Sequence, residues 1–136
     1  MPEIKSYAVF ISHAWTYNAD YYRLERMLYE APNFTWRNYS VPKHDALDTA
    51  TNAELEAALR RQISPTNVVL ILAGMYVTHR KWIQKEIDIA VEKKKPIVGI
   101  VPRGQERTSQ EVQNVAKEMV GWNTSSIVSA IRKHAL

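Results

Sequence analysis

"NVVLILAG", residues 67–74, is the stretch on which the reading of the fold turns. Its apolar residues run from Val68 to Ala73 without a polar interruption, so both faces of the segment call for burial. β-Branched Val68, Val69 and Ile71 favour a strand, and Gly74 closes it. "PIVGIVP", Pro96 to Pro102, is a second run of the same kind. Between them lies "HRKWIQKEIDIA", residues 79–90, followed by Val91. Wound at about 100° per residue, Trp82, Ile83, Ile87, Ile89, Ala90 and Val91 share one arc of a helix, and Gln84, Lys85, Asp88 and Glu92 share the other. Glu86 breaks the pattern. It projects between Trp82 and Ala90, inside the apolar arc, where an ionised carboxylate is costly unless something pairs with it or needs it.

The same alternation continues outward in both directions. "YAVFIS", Tyr7 to Ser12, reads as a buried first strand, and Asp20 to Glu30 as a helix stopped by Pro32. "FTWRNYS", Phe34 to Ser40, alternates like a second strand; Asn52 caps a helix that runs to Ile63 and ends at Ser64-Pro65. Thr78 is placed to cap the helix carrying Glu86. Beyond Pro102, Ser109 to Glu118 and Ser125 to His134 read as helices, with "MVGW", residues 119–122, a short fifth strand between them. Strands separated by helices imply a parallel sheet covered on both faces with right-handed crossovers. The expected fold is a flavodoxin-like α/β three-layer sandwich in one domain over residues 1–136, with strand order 2-1-3-4-5. In that order the sheet reverses between the first and third strands, and ligands bind in the crevice at the carboxyl ends there.

Composition narrows the function. A chain of 136 residues buries roughly two thirds of its unfolded surface and holds a preformed pocket without disulfides. The absence of cysteine removes thiol catalysis and cysteine-based zinc sites and fits a reducing cytoplasm. No metal site is assigned. Neither a signal peptide nor an apolar run near the ~20 residues of a membrane span is evident, so a cytoplasmic protein without a membrane partner is the expectation. The net charge of +4 is spread along the chain, with KKK at 93–95 its one dense run. Before Pro96 that run reads as a solvated helix end welcoming cations, which leaves nucleic acid an unfavoured partner. A phosphate-bearing small molecule suits the same mild charge.

Two loops border the expected crevice: Ser12, His13, Ala14 and Trp15 after the first strand, and the segment from Gly74 into the helix of Trp82 and Glu86. Small Ser12 and Ala14 admit close approach of a ligand, and His13 either donates to a phosphate or ribose hydroxyl or is a satisfied structural histidine. Trp82 is a core aromatic, a pocket wall, or both. Trp15, Trp36 and Tyr39 supply aromatic surface at that end of the sheet, although strand aromatics usually pack. Asp45 and Asp48 bind ribose hydroxyls or cap the next helix, with capping favoured for Asp48. Glu86 itself either serves chemistry, pairs with an arginine such as Arg37, or reaches out along Lys93.

These segments resemble a known family. "YAVFISHAW" is similar to the opening strand of TIR domains, and "WIQKEI" to the tryptophan, three residues, glutamate pattern on the helix after their third strand. "FISHAW", "NYSVP", "ILAGMY", "WIQKEIDIA", "KPIVGIVPRG" and "VGWNTSSIVSAI", in this order, resemble the bacterial TIR-like family of the Thoeris defence protein ThsB. The resemblance implies an enzyme that takes NAD as substrate, requires no further cofactor and breaks the nicotinamide–ribose bond with one essential glutamate, here Glu86. Beside it, Ser12, His13, Ala14, Trp15, Arg37, Asp45 and Trp82 stand as the nucleotide-binding candidates on the reading of the residues themselves. The resemblance also implies an ADP-ribose-derived signal, a separate effector protein reached through that diffusible product, and a role in antiphage defence. The loop "VPKHDALDTATN" lacks the Pro-Gly pair through which many TIR domains assemble, leaving self-assembly open. Two further classes stand beside the enzyme. One is a noncatalytic interaction module of the same fold. The other, a phospho-receiver or flavin-binding relative, is disfavoured because Ala73-Gly74 stands where a receiver's acceptor aspartate would be.

Overall fold

The computed structural model describes residues 6–11, 19–39, 52–72, 80–101 and 110–136. Five strands and five helices alternate along them: β1 (Ser6–Ile11), α1 (Ala19–Glu30), β2 (Thr35–Asn38), α2 (Asn52–Ile63), β3 (Val68–Leu72), α3 (Arg80–Glu92), β4 (Ile97–Ile100), α4 (Gln110–Val115), β5 (Glu118–Val120) and α5 (Thr124–His134). The strands form one parallel sheet in the order β2-β1-β3-β4-β5, the doubly wound order expected from the sequence.

The unbroken apolar run of β3 divides its residues between two cores. Val68 and Leu70 join Val9, Ile11, Val98 and Ile100 under Leu24 and Leu28 of α1 and Ile127 and Ile131 of α5. Val69 and Ile71 join Phe10 and Ile97 under Leu59 of α2, Ile87 and Ala90 of α3 and Val112 of α4. A strand that feeds two layers cannot alternate polar and apolar residues, which is why this one reads so plainly in the sequence.

Local chemistry sets the element ends. Asn123 caps α5: its Oδ1 accepts from the Ser126 N–H at 3.0 Å and from the Ser125 hydroxyl at 2.8 Å. Asn33, after Pro32, takes a left-handed φ of 56°, which asparagine tolerates better than most residues. Asn67 ties β1 to β3 from just outside the strand, donating its N–H to the Ala8 carbonyl at 2.7 Å and accepting the Ala8 N–H on its side-chain oxygen at 2.8 Å.

The boundary between α4 and β5 differs from the expectation. Residues 116–118 leave the helix that was to run to Glu118, and β5 starts at Glu118 in place of Met119. The cause is pairing with β4: the Lys117 N–H donates to the Ile97 carbonyl at 2.7 Å and Glu118 takes register with Val98. Sheet pairing outweighs the helix preference of this short polar segment. Asn52 is the first residue of α2 rather than its cap.

Candidate active site

β1 and β3 lie side by side, with Ile11 opposite Leu70, and their neighbours wind away in opposite directions. The crevice of a doubly wound sheet belongs at their carboxyl ends. Ser12, His13, Ala14, Trp15 and Asp45 follow these ends or lie in the loop before α2, and they fall outside the described residues, as do Asp48 and Thr78. The site is therefore built on α3, whose first residue, Arg80, follows β3.

Six residues into that helix, about 9 Å along its axis at 1.5 Å per residue, stands Glu86. Its exposure is 0 %, and Ile87, Ile89 and Ala90 beside it are buried as well. Gln84 and Asp88, outward as the helical wheel demands, bond to each other at 2.8 Å. Thr66 and Glu86 are the buried polar residues among those described. Thr66 has an ordinary explanation, because its hydroxyl donates to the Ile63 carbonyl at 2.6 Å at the end of α2. Glu86 is the one ionisable side chain buried there, on the helix that leaves the crevice strand. Removing a carboxylate from water costs several kcal/mol before compensation, so its placement calls for a reason beyond packing.

The helix carrying it is held firmly. Lys85 Nζ reaches Glu56 Oε1 of α2 at 2.8 Å, and Arg60 of α2 pairs with Glu92 near the end of α3. The hydrogen bond from Lys85, followed by its charge, draws the Glu56 carboxyl below its ordinary value of 4.5. Together the two pairs brace α3 against α2 on either side of Glu86 along the chain. Exposed pairs of this kind add little stability, and the burial of Ile87 and Ala90 against the sheet holds the helix in place.

The remaining candidates divide. Trp82 lies on α3 four residues before Glu86. Arg37 is exposed on the edge strand β2, with its guanidinium carbon 5.6 Å from the centre of the Tyr39 ring. β1 stands between β2 and β3, so Arg37 is on an edge strand that does not adjoin the strand from which α3 follows. Trp36 is a core residue, 6 % exposed and packed against Tyr29 with ring centroids 4.7 Å apart, as strand aromatics usually are. Lys93 is exposed beyond the end of α3.

A five-stranded parallel sheet of order 2-1-3-4-5, with an acid buried on the helix after its third strand, defines a flavodoxin-like α/β domain of the TIR type. The match is narrower than that class. The family model described as "Thoeris protein ThsB, TIR-like domain" covers residues 10–107, from within β1 to beyond β4 and including Glu86, and the chain belongs to this family. No curated protein matches the chain. Among solved structures it is similar to the CMP N-glycosidase BcmB of Clostridium botulinum, with a TM-score of 0.52 and 11% identity over 93% of this chain and 98% of that one. At that identity the likeness is one of fold.

Proposed function

We propose that this chain is an NAD-consuming enzyme that cleaves the nicotinamide–ribose bond and makes an ADP-ribose-derived signal in antiphage defence, with Glu86 as its catalytic carboxylate. The observation that carries the reading is the complete burial of this acid on the helix that leaves the third strand, in a chain of the ThsB TIR-like family. The chemistry asks for little else. As the bond from C1′ to the pyridinium nitrogen breaks, its electron pair goes to that nitrogen and nicotinamide leaves neutral, so no general acid is required. Positive charge develops on the ribose, and a fixed carboxylate beside it stabilises the oxocarbenium-like state. Water, or a hydroxyl or ring nitrogen of the same molecule, then attacks C1′ and gives up its proton where it carries one. A low-dielectric site strengthens the carboxylate's effect and keeps stray water from the intermediate. The architecture accommodates bond cleavage of this type, since the fold is shared with a protein named as a CMP N-glycosidase. The product would act on a separate effector.

The test is chromatography of NAD incubated with the purified chain, dilute and concentrated, with and without extract of phage-infected cells. Release of nicotinamide that Glu86→Gln lowers by about 10²–10³-fold, the usual effect of losing one transition-state electrostatic contact, is the expected result. Absence of turnover under every condition would move the assignment to a noncatalytic interaction module.

A further inference from the structure

At the amino edge of the sheet, where α3, α4 and α5 end and β4 and β5 begin, a cavity of about 410 Å³ opens. This is the edge opposite to the carboxyl ends that precede Glu86. Lys94, Lys95 and Lys117 line the cavity with His134, and Val91 and Leu136 form apolar parts of its wall. The three lysines come from two separate connections, the turn after α3 and the turn after α4. His134 Nε2 meets Glu118 Oε1 at 2.9 Å, which engages the neighbouring carboxylate.

Three observations set this place apart from an ordinary solvated helix end. Cations do favour helix C-termini, and Lys93, which does not line the cavity, is explained that way. Lys94, however, holds a left-handed φ of 58° while its N–H donates to the Val91 carbonyl at 3.1 Å, and the next N–H, of Lys95, donates to the Ala90 carbonyl at 2.8 Å. Glycine adopts this helix-ending conformation at lower cost, so a lysine here is retained at some expense to the fold. Second, three lysines from two separate turns line one concavity, an arrangement that favours an anion there. Third, Val91 and Leu136 are 56 % and 59 % exposed, and both stand at this cavity. Exposed apolar surface beside clustered cations suits a ligand that has an anionic end and a flat or apolar body.

We propose that this cavity, walled by Lys94, Lys95, Lys117, Val91 and Leu136, is a second binding site for a phosphate-bearing small molecule of mononucleotide size. Its volume falls in the range of small-ligand pockets, near the lower end. The lysines take the phosphate and the exposed apolar side chains take the base. The site stands apart from the proposed NAD chemistry and does not depend on it.

The experiment is titration of the ¹⁵N-labelled full chain with inorganic phosphate, adenosine and AMP, followed by amide shifts. AMP is expected to bind more tightly than either part alone and to move the signals of Lys95, Lys117 and Leu136. Lys95→Gln/Lys117→Gln should weaken AMP by about tenfold or more, since each charged hydrogen bond to phosphate is worth about that factor, and Glu86→Gln should leave it unchanged. Lys94→Gly should weaken AMP while raising the melting temperature by a few degrees, as relief of the left-handed lysine requires. AMP affinity unchanged in both lysine variants, or shifts confined to α3 near Glu86, would overturn the site. Phosphate binding as tightly as AMP would overturn the nucleotide class.

Discussion

At the scale of single residues, two positions carry most of the consequence. Glu86 is a charge-bearing group in an apolar arc, and under the catalytic role proposed for it, it is a burden to the fold that holds it. Glu86→Gln retains size and most hydrogen bonding, so its melting temperature should equal or exceed that of the parent while NAD turnover falls by about 10²–10³-fold. A loss of about 3–5 kcal/mol on the same change would identify half of a buried ion pair instead. Gly99 carries the opposite constraint. A β-carbon there would stand 3.0 Å from Val112 Cγ1 of α4 and closer still to the Met119 sulfur of β5. Met119 can swing aside, but Val112 is stiff, so Gly99→Ala should cost about 1–3 kcal/mol in denaturant melts. Glu86 was legible from the helical wheel alone, because one acid in an apolar arc is visible without a structure. Gly99 was not, since nothing in "PIVGIVP" tells which neighbour will lie against its fourth residue.

Among the elements, α2 and α3 are bound by opposite charges, and the Glu56 carboxyl records this in its lowered pKa. The sign is that of an acid stabilised in its ionised form. The pair with Lys85 contributes fully above the ordinary value of 4.5, and the contribution is lost as pH falls through the lower folded value. Glu56→Gln should therefore narrow the stability gap to the parent as solutions are acidified below about 4.5, in urea melts run across that range. The doubly wound order was readable from the regular alternation of strands with amphipathic helices. The start of β5 was not, because Lys117 and Glu118 suit a helix locally and are drawn into the sheet by Ile97 and Val98, some twenty residues earlier in the chain. For the same reason "KKK" read as a helix end, while the partnership of Lys94 and Lys95 with Lys117 across one cavity needed the packing of three helices. The remaining candidates, Ser12 to Trp15 and Asp45, lie outside the described residues, and the sequence alone speaks for them.

At the scale of the whole molecule, Asn67 joins distant parts of the chain: its amide and side-chain oxygen engage Ala8 of β1, and its carbonyl accepts the Leu136 N–H at 3.0 Å. Asn67→Ala leaves the Ala8 N–H without its side-chain acceptor and should lower global stability by about 1–3 kcal/mol, with faster hydrogen exchange first in β1. The sheet's outline has a further consequence. Its two outermost strands are β2, four residues long and bearing exposed Thr35 and Arg37, and β5, three residues long. Such short margins give an incoming chain few backbone groups to pair with, and a charged side chain on one of them discourages the approach. A protein of this design tolerates crowding at high local concentration without zipping margin to margin into fibres. Ordered assembly of copies would then have to run through helices or loops, whose side chains can be specific about what they accept.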